Sequence, residues 1–132
     1  MEHRSLFLIV ALLASLGYPQ SDATGDGAKA RAAVEANLKG KDGSEFAKTA
    51  LASFAKTHAG ALKICRDTVK APDTSRFDIL FMLSRRGMVK DALLSPVTNV
   101  GQCLLRESAN EVFPPPPGPN HWILIRSADI RD

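Results

Sequence analysis

Cys103-Leu104-Leu105-Arg106-Glu107-Ser108-Ala109-Asn110-Glu111-Val112-Phe113-Pro114-Pro115-Pro116-Pro117, continued by His121-Trp122-Ile123-Leu124-Ile125, is the stretch on which the architecture turns. Its first part reads as a short helix with Cys103 on the apolar side, running up to a hard stop at Phe-Pro. Four successive prolines cannot continue a helix, because each lacks an N–H and clashes with the carbonyl one turn back. Beyond them, His121 to Arg126 reads as a buried final strand. The prolines between predict an extended polyproline arm. It is either a ligand for a polyproline-binding module or a rigid spacer that starts the last strand at a set place.

Working back towards the N-terminus, Thr98 or Asn99 is placed to cap this helix, and Val100, Cys103 and Leu104 share one of its faces. Phe113 is expected to plug the core as the chain leaves it. Upstream, the apolar period is two: Phe77, Ile79, Phe81 and Leu83 alternate with Asp78, Leu80, Met82 and Ser84. Arg85-Arg86-Gly87 turns the chain, with Gly87 suited to positive φ, and Met88 to Leu94 returns as a partner strand ended by Pro96. Ser44 is a candidate cap for a long helix from Glu45 to Val69, kinked near Gly60. Its apolar stripe of Phe46, Ala50, Leu51, Phe54, Ala55 and Leu62 carries Cys65 towards the core. Ala28 to Leu38 predicts a shorter helix, and Lys39 to Gly43 a linker. The order helix, helix, strand, strand, helix, strand makes this an α+β chain with a small antiparallel sheet.

The first residues bear on the compartment. A short polar start, Glu2-His3-Arg4, precedes an apolar run from Leu6 to Leu16, and Ser21-Asp22-Ala23 offers small residues for signal peptidase. Such a run fits the core of a secretory signal and falls short of the roughly 20 residues that span a bilayer. The reading is therefore a signal peptide over 1–23, a flexible or helical segment over 24–43, and one modest α+β domain over 44–132. The expected location is periplasmic or secreted, with no stable membrane span after cleavage. Formal net charge is +3 over 132 residues, and about +4 without the signal. That charge is scattered, with no basic stripe interleaved with aromatics, so nucleic acid is not an expected partner.

Both cysteines, Cys65 and Cys103, lie in the exported part. Two cysteines in an oxidising compartment favour one intramolecular disulfide. The spacing is unlike a C-x-x-C redox pair, so a structural staple is expected. Zinc would require more Cys or His nearby than the chain offers, and no metal or cofactor is expected. His58 reads as lying on a partly exposed helix edge and His121 as a solvent-facing residue ahead of the last strand. The serines lack a G-x-S-x-G setting, no glycine-rich phosphate loop follows a strand, and Asp91 beside Lys90 reads as a surface pair. No catalytic residue is assigned.

From Cys65 onward the chain resembles the C-terminal domain of TonB-type energy transducers, in the two-cysteine form of some gliding-motility and outer-membrane-linked proteins. Four features in order carry the likeness. Ala61-Leu62-Lys63-Ile64-Cys65 ends a helix in cysteine. Phe77 to Phe81 and Gly87 to Ala92 form a strand-Gly-x-Val-strand hairpin. Leu94-Ser95 leads to a helix with Cys103. Phe113-Pro114-Pro115-Pro116 then precedes the strand Trp122 to Ile125. The resemblance implies a three-stranded sheet backed by a helix. It also implies binding of envelope proteins, such as a peptide of an outer-membrane protein, at an exposed sheet edge. The candidate edge is the last strand, with Trp122, Ile123, Leu124, Ile125 and Arg126. Force-transducing members carry an uncleaved anchor and a long proline-rich spacer. Here the prolines lie inside the domain and the apolar start reads as cleavable, so the expectation is an exported non-enzymatic binding or adaptor protein. The alternative is a small secreted enzyme or enzyme inhibitor. An exposed Trp122 on an edge strand would serve as a contact residue, whereas a tryptophan packed on the sheet would be part of the core.

Overall fold

The computed structural model describes residues 25–130, so the signal-peptide reading of 1–23 lies outside the described residues. Helix α1 spans Gly25–Lys39 and α2 spans Lys41–Thr68. Strands β1 (Asp78–Leu83) and β2 (Val89–Ser95) precede α3 (Asn99–Glu107), and β3 (His121–Arg126) runs into a 3-10 turn at Ser127–Asp129. The three strands form one antiparallel sheet in the order β2-β1-β3. No helix among the described residues is long and apolar enough to cross a membrane.

The alternation along β1 splits its side chains between two cores. Ile79, Phe81 and Leu83 join Ala92 and Leu94 of β2 and Ile123 and Ile125 of β3 on one face. There they meet Phe46, Ala50, Phe54, Leu62 and Cys65 of α2, and Val100, Leu104 and Leu105 of α3. Phe54, Phe81 and Phe113 sit at its centre with ring centroids 5.6 to 5.9 Å apart. Phe113 thus fills the core as its sequence position suggested. On the other face, Leu80 and Leu93 pack with Trp122 and Leu124 beneath Ala30 and Val34 of α1. Leu80, expected on the polar side of its strand, is fully buried. A half-exposed sheet would show polar residues at such positions, and α1 removes that face from water.

Helix α2 begins four residues earlier than Glu45. Gly40 is its extended N-cap residue, at φ −84° and ψ 152°, and no side chain caps it. Ser44 sits inside the first turn, its N–H bonded to the Gly40 carbonyl at 3.0 Å. The supposed linker is helical because α1 and α2 cross closely at Gly43. A Cβ there would lie 1.9 Å from the Asn37 carbonyl oxygen. Gly40 is the single residue between the helices, and α2 runs unbroken through Gly60.

Helix α3 ends at Glu107, well before the prolines. Ser108 turns its hydroxyl back onto the Leu104 carbonyl at 2.8 Å. Competition of this kind from serine favours helix ends. Residues beyond it are then held from outside: Val112 bridges to Met88, and the Phe113 N–H donates to the Gly87 carbonyl at 2.9 Å. Gly87 has φ 87°, as the hairpin turn requires. Thr98 takes the cap of α3, its hydroxyl accepting from the Gly101 N–H at 2.9 Å. Asn99 is thereby left to tie down the loop after α2. Its amide donates to the Lys70 and Ala71 carbonyls and its oxygen accepts from the Asp73 N–H.

Cys65 and Cys103 form a disulfide that joins α2 to α3 across a separation of 38 residues. Closing a loop of this size contributes about 3–4 kcal/mol in the chain-entropy account. A Cys65→Ala/Cys103→Ala double variant should therefore lose about that much unfolding free energy in urea titrations, with the parent under reductant matching it. At the helix crossing, Gly43→Ala should destabilise by about 1–3 kcal/mol, the usual cost of overpacking. Because the clash involves backbone, its effect should exceed that of Gly60→Ala, where a Cβ meets open space.

Candidate functional site

The ends of β3 are set by interactions from distant segments. Asn120, at φ 50°, turns the chain into the strand, and the Lys90 ammonium donates to its side-chain oxygen at 2.8 Å. At the far end, the Ser127 N–H donates to the Phe77 carbonyl and the Phe77 N–H to the Ser127 hydroxyl. Those bonds reveal the phase of the ladder. In an antiparallel pair, the N–H and C=O of one residue point to the same side and neighbouring residues alternate. With Phe77 opposite Ser127, the main chains of His121, Ile123 and Ile125 face β1. The main chains of Trp122, Leu124 and Arg126 therefore point away from the sheet, along its outer edge.

The five residues singled out from sequence thus divide into two sets. Ile123 and Ile125 are buried in the main core and paired to β1. Trp122, Leu124 and Arg126 occupy the outer edge, the first two half-buried and Arg126 exposed. Since α1 covers one face and α2 the other, the turn at Gly40 carries the helical pair around this edge. Asn37 of α1 donates from its amide to the Trp122 carbonyl at 3.1 Å, which occupies that end. Between helices and strand remains a groove of about 200 Å³, lined by Val34, Asn37, Leu38, Ala47, Leu124 and Arg126 among others. Its open backbone is that of Leu124 and the N–H of Arg126, whose carbonyl begins the 3-10 turn.

The opposite edge is guarded in part. Val112 pairs beside Met88, and the Asp91 carboxylate accepts from the Ala92 N–H at 2.9 Å, one residue along its own strand. Edges with unpaired backbone attract other chains, and both devices blunt this one. Among the described residues, then, the Leu124–Arg126 end of β3 is an open stretch of strand edge beside a groove.

Both histidine readings need correction. His58 is buried, and its Nε2 lies 2.7 Å from Glu111 Oε2; the two side chains are only 9% and 10% exposed. A carboxylate only accepts, so the imidazole is the donor. Sequence inspection missed this pair because its members lie 53 residues apart, and only the turn after α3 brings Glu111 over α2. His58 also packs against Phe54, the two rings tilted by 38° with centroids 4.5 Å apart. His121 is likewise buried, edge-on to Phe46 at 5.3 Å, and borders the groove. It starts a strand whose odd positions face the core, which overrides its place after a turn. No group of three or more His, Cys, Asp or Glu able to hold a metal ion occurs among the described residues.

Burial holds the His121 pKa below its ordinary value near 6.5, because the charged imidazolium is penalised away from water. Below that value the unfolded chain takes up a proton that the folded chain resists. Stability supported by neutral His121 is therefore present above about pH 6.5 and lost as pH falls towards the lowered value. Urea midpoints should accordingly fall from about pH 7 to about pH 5.5 more steeply for the parent than for His121→Phe. Comparison of the chain with protein-family models, with curated proteins and with solved structures finds no match.

Proposed function

We propose that this chain is an exported, non-enzymatic binding or adaptor protein of the cell envelope, acting in the periplasm or outside the cell through protein contacts. The observation that carries the reading is the outward-facing backbone of Leu124 and Arg126 beside a preformed groove. An extended peptide adding there would exchange main-chain hydrogen bonds with Leu124 and place alternate side chains on the two sides of the sheet. Side chains on one side would meet Val34, Leu38 and Leu124; those on the other would approach Ala47. Arg126, exposed at the end of the groove, suits a carboxylate on the peptide. The resemblance of the Cys65-to-Ile125 motifs to TonB-type domains supports the same edge. The disulfide supports the exported part of the reading, because it suits an oxidising compartment.

Blocking of the Trp122 carbonyl by Asn37 limits the reading to a short paired segment. Affinity on this account is modest, because few backbone bonds form and the peptide must be ordered. In an NMR titration with a pooled library of extended peptides of about eight residues, the amides of Leu124 and Arg126 should shift and gain exchange protection. Leu124→Pro removes an outward N–H without touching the β1–β3 ladder and should abolish the shift of the Arg126 amide. Circular dichroism run alongside confirms that the variant is folded. Unchanged peptide binding by a folded Leu124→Pro variant would rule this edge out.

A further inference from the structure

The second face of the sheet contains a concavity separate from the strand edge. Strand register sets its floor: Met82 lies directly opposite Asp91 of β2 on one side and Trp122 of β3 on the other. All three side chains are half-buried. The first turns of α1 form the wall with Asp26, Lys29, Ala30 and Ala33, enclosing about 500 Å³. Behind this row stands a second, Leu93-Leu80-Leu124, sealed by Ala30 and Val34. The concavity is therefore apolar at its back and carries its charge at the front.

The chemistry of that front is specific. One oxygen of Asp91 accepts from the Ala92 N–H at 2.9 Å, which holds the carboxylate in place, and Asp91 forms no ion pair among the described residues. Asp26 and Lys29 oppose each other in sign along α1, so Asp91 leaves the site net negative. A half-buried carboxylate without a counter-ion is costly, and a cation entering the site relieves that cost. Across Met82 stands the Trp122 indole, its backbone anchored by Asn37. An indole face attracts cations, and most strongly those whose own hydration is weak. The strands of Asp91 and Trp122 are two strand spacings apart, about 9.5 Å, which accommodates one compact alkylated head over Met82. A bare metal ion is poorly matched, because hard cations require six or more oxygen ligands.

We propose that this concavity is a binding site for a small organic cation with an alkylated ammonium head, seated between the Asp91 carboxylate and the Trp122 indole above Met82. Trp122 is the only tryptophan of the chain, so its emission reports directly on the site. The purified chain is titrated with choline chloride, with sodium chloride holding ionic strength constant, and in parallel with dimethylbutanol, the neutral carbon isostere of choline. Choline should change the emission saturably, and the isostere should bind at least about tenfold more weakly, the loss expected when a desolvated cation–π and charge contact is removed. Asp91→Asn keeps an acceptor for the Ala92 N–H but removes the charge, and it should weaken choline binding by a similar factor. No saturable response, equal binding of choline and its isostere, or undiminished choline binding by a folded Asp91→Asn variant would each overturn the proposal. The isostere comparison uses the parent chain and does not depend on how the variant folds.

Discussion

Strand β1 is paired along both edges and covered on both faces, and the other elements are placed by that constraint. Its six residues carry hydrogen bonds to β2 and to β3, so neither partner can slip without moving the other. A one-residue slip would exchange Phe81 for Leu80 between two cores of different size. The larger core needs the ring of Phe81 to meet Phe54 and Phe113, whereas the smaller accepts only aliphatic groups and one side of Trp122. Burial on both faces is unusual for an antiparallel sheet of three strands. It follows from a pair of helices that straddle the edge of β3.

That straddling links stability to the candidate site. The close crossing at Gly43 brings Asn37 to the Trp122 carbonyl, and the same hydrogen bond occupies one end of the edge. What remains open is short and defined by its neighbours. The Val112 bridge and the Asp91 side chain guard part of the other edge. A small sheet that left both edges bare would invite pairing with other chains. The proposed peptide site is therefore a portion of edge that lies open beside a groove.

The buried polar groups sort by the same logic. His58 and Glu111 satisfy each other inside the apolar packing of α2 and the turn after α3, which makes them a clasp for that turn. A buried pair of this kind is costly to break from one side, because the remaining partner loses its hydrogen bond. His121 has a ring contact, and its burial lowers its pKa. Asp91, half-buried at the mouth of a cavity, is bound to a backbone N–H and, among the described residues, to no cation. The three groups differ in what surrounds them, although each reads in sequence as an ordinary surface residue.

Local signals in the sequence determined the elements that short-range physics controls. The final strand, the hairpin around Gly87, a cap at Thr98 or Asn99, the core role of Phe113 and the Cys65–Cys103 pairing could all be read from residue type and spacing. Strand and turn propensities act within a few residues, and two cysteines allow only one intramolecular bond. The tertiary structure alone decided that Gly43 belongs inside a helix, that Leu80 is buried, that α3 stops at Glu107 and that His58 meets Glu111. Apart from the end of α3, where Ser108 acts locally, each depends on a segment between 6 and 53 residues away, as the Asn37–Gly43 and His58–Glu111 contacts illustrate. The site divides in the same way. Sequence pointed to the strand from Trp122 to Arg126, but only the pairing of β3 with β1 settled which backbone groups face outward, because the phase of an antiparallel ladder belongs to the pair of strands and to neither alone.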